Sequence, residues 1–436
     1  MAVGPGSVIR VPGISQLGKL PRSSDKATFQ SAFLAANGAV PDEPFAIFDK
    51  CFHLILGTFI VAGDFDTFDG HTAEELGSFA NGYSFVAGAP APVGSVDSLV
   101  QTGGLFFRGR TTALGSPFVL KFNRSLTSTG GFTIVVNFGG RVRGYGGLNN
   151  KFYVLGSFTT IDTTGFGPAT RTDVAVYDPA TMLILPDQPI IPVAPFQASL
   201  ITGDATDFYI GGVNLTTSAI QLFKYNVATN LQDFGFTASA TGAGGTIVKM
   251  VKDVSRNRIY IAGNFDHANG VARTSIAAFD ATTGALITSF NPVLTLGGST
   301  TAVTAMAVDP TTGMVFVSTQ ADTVNSVPII GPPPFFTPGP VVVALDTTGA
   351  TVHIWQCFQG SVFNGTLVHD LLVAGSDLIV AGPFDRASVY GGTLFVRSGL
   401  ASFDIVAGNV SSLNLPLTLF GSYPGNSFQM KLVGSG

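Results

Sequence analysis

Residues 259–292 read IYIAGNFDHANGVARTSIAAFDATTGALITSFNP, and this stretch decides the predicted fold of the chain. Three short apolar runs lie in it, at residues 259–265, 275–280 and 285–290. They are β-branched, aromatic or small and too short for helices, which favours strands. A Gly-containing turn at 267–271 and a tight Ala-Thr-Thr-Gly turn at 281–284 separate them. With the alternating run 247–253 upstream, the stretch predicts a four-stranded antiparallel meander.

The same meander recurs along the chain. Its best marker is the second strand, an apolar run that usually ends in Gly-x-Phe or a close variant. Seven copies, which we number as units one to seven, lie at residues 59–65, 105–110, 152–158, 208–213, 259–265, 314–318 and 378–384. A third strand, often ending in Asp before a turn, recurs at 173–178, 220–225, 276–280, 341–346 and 400–404. These copies indicate one repetitive structure.

Repeats of roughly 50 residues with four short strands each are typical of β-propeller blades. Seven such units would close a ring without exposed sheet edges. The low charged fraction of 11%, with 54 Gly and 37 Phe residues, agrees with many buried strands. The prediction is an all-β, seven-bladed β-propeller of four-stranded antiparallel blades over residues 45–436. Residues 1–44 are expected to form an extended N-terminal arm, docked on its own domain or on a neighbouring subunit.

The order of features in residues 259–292 resembles the delta-60 repeat, a β-propeller repeat of bacterial and bacteriophage surface proteins. The family pattern is an apolar strand, Gly-Asn-Phe, a Gly-containing turn, Arg, an apolar strand ending in Asp, a Thr-Gly turn and a Ser-Phe-Asn-Pro ending. Unit five matches it almost throughout, units three and seven match in part, and the others match only in strand pattern. Delta-60 propellers share no catalytic residues, so the resemblance implies a fold and leaves the function open.

Charge and hydropathy argue against two kinds of partner. The formal net charge is −5, whereas a nucleic-acid-binding surface would need a basic stripe. No uninterrupted apolar run is long enough to span a bilayer, so membrane insertion is not expected. The N-terminal residues lack a basic region and an apolar core, which predicts no signal peptide. Cys51 and Cys357 are expected to be free, buried thiols.

No stretch carries a catalytic or metal-binding constellation. Asp64, Asp66 and Asp69 invite a calcium site, but their spacing fails the EF-hand template. The equivalent residues of unit five, 264–270, form the strand-to-strand turn of the repeat, so a turn explains these aspartates better than calcium binding does. The five histidines show no paired ligand spacing, and nucleophile-elbow and phosphate-loop motifs are missing. We therefore predict a non-enzymatic protein without catalytic residues, metal or cofactor.

The loop of unit six, residues 321–340, is a candidate interaction loop. It is stiffened by proline and carries the apolar candidates Ile329, Ile330, Pro333, Phe335 and Phe336. Two interpretations remain open. The loop folds back over its own blade, or it forms a contact patch for another subunit. Units three and seven extend the same loop, at residues 159–171 and 385–399.

The two ends of the propeller region are candidates for closing the ring. Residues 427–433 alternate like a strand and carry Phe428, Met430 and Leu432, while Phe45 and Ile47 lie in a segment that resembles a third strand. We expect strands from both ends to meet in one blade, with residues 427–433 innermost, because joining the termini removes the last two open edges.

Three functions from different classes are consistent with the sequence. The favoured hypothesis is a structural protein of a virus particle, most plausibly a bacteriophage tail, baseplate or capsid-surface component. Its partners would be other virion proteins or copies of itself, and a host surface glycan or receptor. The alternative is an extracellular or cell-surface adhesin or carbohydrate-binding propeller. An enzyme that uses the axial channel is least favoured, because no catalytic constellation was found.

Overall fold

The architecture is taken from a computed structural model, which describes most of residues 140–411 and only separate strands outside that range. The gaps within it are residues 164–168, 187, 194, 243, 330–340, 359–367, 383 and 398. The other described strands lie between residues 58 and 136 and at 417–419 and 428–433. The predicted arm (residues 1–44) and the segment with Phe45 and Ile47 lie outside the described residues.

Every regular element in the described part of the chain is a β-strand. The strands before residue 140 are β1 (Thr58–Gly63), β2 (Phe65–Phe68), β3 (His71–Thr72), β4 (Leu76–Ala80), β5 (Ser84–Gly88), β6 (Ser98–Thr102), β7 (Leu105–Arg110), β8 (Phe118–Phe122) and β9 (Ser128–Val136). The strands of units three to five are β10 (Arg141–Leu148), β11 (Lys151–Ser157), β12 (Thr160–Thr163), β13 (Ala169–Thr170), β14 (Val174–Tyr177), β15 (Phe196–Gly203), β16 (Asp207–Asn214), β17 (Ile220–Asn226), β18 (Ala238–Thr241), β19 (Thr246–Asp253), β20 (Arg258–Asn264), β21 (His267–Ala268), β22 (Val271–Ala272), β23 (Ile276–Asp280), β24 (Leu294–Leu296) and β25 (Ser299–Thr300). The remaining strands are β26 (Val303–Val308), β27 (Val315–Thr319), β28 (Thr323–Val324), β29 (Val327–Pro328), β30 (Val341–Leu345), β31 (Thr351–Phe358), β32 (Asp370–Ala374), β33 (Asp377–Ala381), β34 (Arg386–Val389), β35 (Phe395–Val396), β36 (Leu400–Asp404), β37 (Leu417–Leu419) and β38 (Phe428–Val433).

All seven second-strand markers of the sequence are strands. They are β1, β7, β11, β16, β20, β27 and β33. In units three to seven each marker pairs antiparallel with the predicted third strand, in the pairs β11–β14, β16–β17, β20–β23, β27–β30 and β33–β36. The antiparallel meander repeat and the all-β class are therefore present. Every sheet is open, with strand orders such as β10-β11-β14 and β38-β1-β4-β5.

The first strands of the units contact one another in sequence. Each pairs with the second strand of its unit, and the first strands in unit order are β38, β6, β10, β15, β19, β26 and β32. Each contacts the first strand of the next unit, and β32 contacts β38. These contacts place the first strands of neighbouring units side by side, as in a propeller-like arrangement.

Two strand pairings join the ends of the described chain. The strand β38 pairs antiparallel with β1 over six residues, from Thr58 opposite Val433 to Gly63 opposite Phe428. The strand β37 pairs with β2. The candidates Met430 and Leu432 lie opposite Val61 and Phe59 in this register. The C-terminal strand thus completes a sheet whose other strands come from unit one.

The predicted fourth strand of unit five is shorter than expected. Residues 285–290 form only an isolated bridge, between Phe279 and Leu286. The chain bends after this bridge, and Phe290 turns inward to pack against Tyr260, with ring centroids 5.2 Å apart. Phe236 packs against Tyr209 in the same way at 5.3 Å. Burying these aromatic rings between sheets outweighs continuation of the strand, because a large ring removes more apolar surface from water.

The hydrophobic core lies between neighbouring units. One cluster joins unit four to unit five through Leu222 and Phe279, and another joins unit six to unit seven around Trp355. The Trp355 ring stacks on Phe403 with centroids 5.0 Å apart and donates its indole N–H to the carbonyl of Gly408 at 2.7 Å. Each unit therefore depends on its neighbours for burial of its sheet faces.

Candidate functional site

In units one, three, five, six and seven, the loops between the second and third strands form hairpins that reach across to the preceding unit. We call them strap hairpins; they are β2–β3, β12–β13, β21–β22, β28–β29 and β34–β35. Each pairs with an outer strand of the unit before it, in the pairs β37–β2, β9–β12, β18–β21, β24–β28 and β31–β34. The extended loops of units three and seven, and the first part of the unit six loop, are therefore inter-unit connections.

In each of two strap hairpins, one asparagine side chain holds the hairpin turn against neighbouring backbone; we call this residue the clamp. The Asn269 side chain donates to the carbonyls of Thr237 and Gly284, at 3.3 and 3.0 Å, and accepts from the amide of Ser239 at 2.9 Å. Asn325 of unit six accepts from the amide of Val293 at 2.8 Å and donates to the carbonyl of Gly349, the counterpart of Gly284 in unit six, at 2.9 Å. Both residues have positive φ, which asparagine tolerates better than most residues. The unit five turn is thus a structural clamp.

Of the five residues proposed for the interaction loop, only Ile329 is described. It is 2% exposed and packs in the cluster between units five and six, beside Leu294 and Val324. Ile329 therefore lies against its own chain and is not part of an exposed patch. Ile330, Pro333, Phe335 and Phe336 lie outside the described residues, so the contact-patch hypothesis remains a prediction for them.

The candidate functional site is an open groove at the outer side of units three and four, with a volume of about 540 Å³. A proline-containing segment after the third strand of unit three forms one wall, and the turn after β17 forms the other. The lining residues are Pro186, Gln188, Ile190, Pro192, Tyr225, Thr229, Asn230, Leu231, Gln232 and Phe234. Three of them are large apolar residues with unusual exposure: Ile190 at 79%, Phe234 at 78% and Leu231 at 69%. Such clustering marks an interaction surface more often than scattered apolar residues do.

The first wall is held in place by side chains. The Gln188 side-chain amide makes hydrogen bonds with backbone groups, as a neighbouring strand would. It accepts from the Val176 amide at 2.9 Å and donates to the Leu185 carbonyl at 2.6 Å. The Tyr225 hydroxyl, on unit four, donates to the Ile190 carbonyl at 2.9 Å. Burial raises the pKa of Tyr225, so this hydroxyl keeps its proton. The exposed Ile190 side chain thus projects from a fixed backbone.

The second wall is a turn capped by Asn226. Its side-chain oxygen accepts from the amides of Ala228 and Thr229, each at 3.1 Å. The following Asn230 has a positive φ of 53°. The side-chain amides of Asn230 and Gln232 make no hydrogen bond to any described residue. The groove therefore offers two amide groups, each with donor and acceptor capacity, beside an exposed aromatic ring.

Charges near the groove are paired. Asp233 accepts from Lys224 at 3.2 Å, and Lys224 also lies 3.5 Å from Asp207. Although partial burial alone would raise it, the pKa of Asp233 is held below its usual value by the amide of Gly235 and by the Lys224 ammonium. None of the described lining residues is charged. The part of the lining that the structure describes is therefore uncharged and combines apolar with polar side chains.

The region where the first strands meet is a second place where a site could lie. Lys249 on β19 of unit five forms an ion pair with Asp370 on β32 of unit seven, with 3.1 Å between Nζ and Oδ1. The pair links two units that are separated in sequence by unit six. In the part of the chain that the structure describes, no group of three or more His, Cys, Asp or Glu side chains could hold a metal ion. The calcium candidates Asp64 and Asp69 lie outside the described residues, and Asp66 lies on the strap strand β2. In this region the described residues thus show one ion pair and no group that could hold a metal ion, and the groove remains the candidate functional site.

Sequence reasoning missed the groove. Its residues come from two units, at 186–192 and 225–234, and neither stretch matches a binding motif. One local signal was present: unit three has Leu-Pro-Asp-Gln-Pro-Ile-Ile-Pro in place of a regular last strand. Proline in that position excludes continued strand pairing, so an irregular and exposed segment could have been expected.

Comparison with protein-family models finds no match, and comparison with curated proteins finds none either. Solved structures do match. The Dos1 propeller aligns with 80% of this chain and 75% of its own, at 10% identity and a TM-score of 0.46. An oligogalacturonate lyase in complex with manganese aligns with 72% and 74% (9% identity, TM-score 0.41), and Saccharomyces cerevisiae Sqt1 with 74% and 85% (9% identity, TM-score 0.35). These likenesses are too remote to decide a function. No helix in the described residues combines the length and apolar character needed to cross a bilayer.

Proposed function

We propose that this protein is a non-enzymatic interaction protein built on a seven-bladed β-propeller, and that it is a surface component of a virus particle. The succession of contacts from β38 through the other first strands and back to β38 supports the seven-bladed ring. The two pairings of C-terminal strands with strands of unit one support closure of that ring without a covalent link.

One observation supports the interaction role most directly. Ile190, Leu231 and Phe234 expose most of their side chains around a single groove. Monomeric soluble proteins rarely leave such patches uncovered without a partner. The resemblance of unit five to the delta-60 repeat supports a particle or cell surface as the location. A bacteriophage tail, baseplate or capsid surface is the location we propose.

The alternative proposal is a cell-surface adhesin or carbohydrate-binding propeller. The free amides of Asn230 and Gln232 beside an aromatic ring favour it, because those groups suit sugar hydroxyls. The two proposals share the binding role and differ in where the protein resides.

Fractionation tests the location. An antibody raised against the purified chain would be used on density-gradient fractions of an induced culture of the source cells. We expect the protein to band with particles and immunogold label to mark one part of them. Recovery only in the cell-envelope fraction would contradict the particle proposal and favour the adhesin. A high-resolution density map that shows six or eight blades would contradict the seven-bladed ring.

A further inference from the structure

We infer that the groove between units three and four is a binding site for a neutral oligosaccharide. The inference rests on the proposed binding role and names the ligand class of that groove. Its volume of about 540 Å³ lies within the usual range of roughly 300–1,000 Å³ for small-ligand sites.

The chemistry of the lining selects the ligand class. A sugar ring has an apolar face and a rim of hydroxyl groups. Phe234 offers an exposed aromatic face for the first, and the amides of Asn230 and Gln232, without partners in the described structure, offer hydrogen bonds for the second. An acidic or basic ligand would bury its charge against apolar walls that provide no counter-charge among the described residues.

The preformed walls favour binding of a small ligand without rearrangement of the protein. Gln188 and Tyr225 fix one wall through hydrogen bonds of 2.6 to 2.9 Å, and Asn226 fixes the other. A site that is already ordered loses little conformational entropy when it binds. This matters for oligosaccharides because each hydrogen bond from a sugar hydroxyl to the protein replaces one to water, so its net contribution to binding is small. Little free energy would remain to offset ordering of a flexible site.

Titration with defined sugars tests the inference. Cello-, malto-, manno- and chito-oligosaccharides would be titrated into the full-length protein and followed by saturation-transfer NMR and calorimetry. We expect at least one series to bind saturably. Phe234→Ala should weaken that binding about tenfold, and Gln232→Ala should weaken it as well. Phe234 is exposed and Gln232 is partly exposed, and a thermal melt of each variant would verify that it is folded.

Phe395→Ala is the matched control, because Phe395 is a partly exposed aromatic residue on the strap hairpin of unit seven. It should leave sugar binding unchanged. Absence of saturable binding by all four series would overturn the inference, and so would binding that Phe234→Ala leaves unchanged. Self-association that Phe234→Ala abolishes, in the absence of sugar binding, would assign the groove to a second copy of the chain instead.

The outcomes separate this inference from the proposed function. A bound sugar that is recovered cleaved would contradict the non-enzymatic role but keep the site. Particle association without any sugar binding would keep the proposed function and remove the site. Sugar binding by a protein found only in the cell envelope would keep the site and favour the adhesin.

Discussion

The glycine of the second-strand marker recurs for a steric reason. A Cβ at Gly156, Gly212 or Gly263 would overlap the backbone carbonyl of Arg141, Gln197 or Thr246, respectively. In each case that carbonyl belongs to the first strand of the same unit, close to a bulge. The bulge brings the first strand too close for any side chain, so only glycine fits.

Replacing this glycine should therefore destabilise the protein. Gly263→Ala is expected to lower the free energy of unfolding by roughly 1–3 kcal/mol, because the overlap is with backbone and forces β19 and β20 apart. Urea unfolding followed by fluorescence measures the change. Gly235→Ala is the control, since its Cβ would meet only the Asp233 carboxylate at 3.2 Å. Equal stability of the two variants would contradict the steric explanation.

A buried aspartate occupies another recurring position. The residue just before the third strand has a positive φ in units three, five and seven, where it is Asp173, Ser275 and Gly399, respectively. Its backbone carbonyl accepts a hydrogen bond from the amide of the marker glycine of the same unit. Burial raises the pKa of Asp173 to about 6, although a backbone hydrogen bond at Phe158 opposes the change. The ionised carboxylate is therefore destabilising at this position.

The pH dependence of the free energy of unfolding should reveal the cost of ionising the buried Asp173 carboxyl. A carboxyl whose pKa is higher in the folded state binds more protons when folded, so stability falls as the pH rises from about 4 to about 6. Asp173→Asn should abolish that fall and raise stability at pH 7 by roughly 1–3 kcal/mol. Thermal melts at pH 4 and pH 7 measure the difference.

The control is Asp178→Asn. Hydrogen bonds from the amide and hydroxyl of Thr181 are the largest influences on Asp178 and lower its pKa. It caps a turn as Asn226 does in the next unit. That variant should show no gain at pH 7. A gain for Asp173→Asn that is equally large at pH 4 would show that charge burial is not the cause.

At the scale of elements, the strap hairpins join five pairs of neighbouring units. Hydrogen bonds between a hairpin and the preceding unit satisfy backbone groups at the outer edge of that unit. An arginine follows the strap in units three, five and seven, at Arg171, Arg273 and Arg397, and the last two are buried. Arg171 and Arg397 donate to carbonyls of the last segment of their own unit. In units three and seven this arginine therefore ties the strap to the last segment of the unit.

The clamp residue Asn269 provides a test of the strap. Asn269→Gly keeps the positive φ but removes four hydrogen bonds, and should lower stability by roughly 1–3 kcal/mol. Asn230→Gly is the control, because Asn230 has a similar φ and no described hydrogen-bond partner for its side chain. Urea unfolding gives the stabilities, and hydrogen exchange of the Ser239 amide reports the local effect. Unchanged exchange at Ser239 in Asn269→Gly would contradict the clamp.

At the scale of the whole molecule, stability should depend on the C-terminus. The strand β38 pairs with β1 and contacts the first strands of units two and seven. Deleting residues 426–436 would expose the edge of β1 and open the proposed ring. We expect the melting temperature of the whole molecule to fall by roughly 10 °C or more in one cooperative transition.

The shorter deletion of residues 434–436 is the control, because it leaves β38 intact. Differential scanning calorimetry would compare both deletions with the full chain. Unchanged melting after the longer deletion would show that this strand does not hold the molecule together. Loss of a separate, small transition would show that only unit one depends on it.

The sequence by itself determined the all-β class, the repeated meander and the positions of the second and third strands. These features follow from local chemistry: alternating or apolar runs, Gly-x-Phe ends and Asp-capped turns each act over a few residues. The recurring Asp of the turns, as at Asp280, needed no tertiary information. The same local signals could not show that residues 285–290 end in a bend, because burial of Phe290 depends on its neighbours.

Only the tertiary structure decided that the strap hairpins pair with the preceding units. Backbone hydrogen bonds between a strap hairpin and the preceding unit involve groups that every residue carries, so no residue pattern announces them. The groove arises from the same cause, since its two walls belong to different units and become neighbours only when the sheets pack. Ile329 belongs with these cases. Its apolar side chain left open a contact patch or a loop folded over its own blade, and only the packing of unit five against unit six shows that Ile329 is buried.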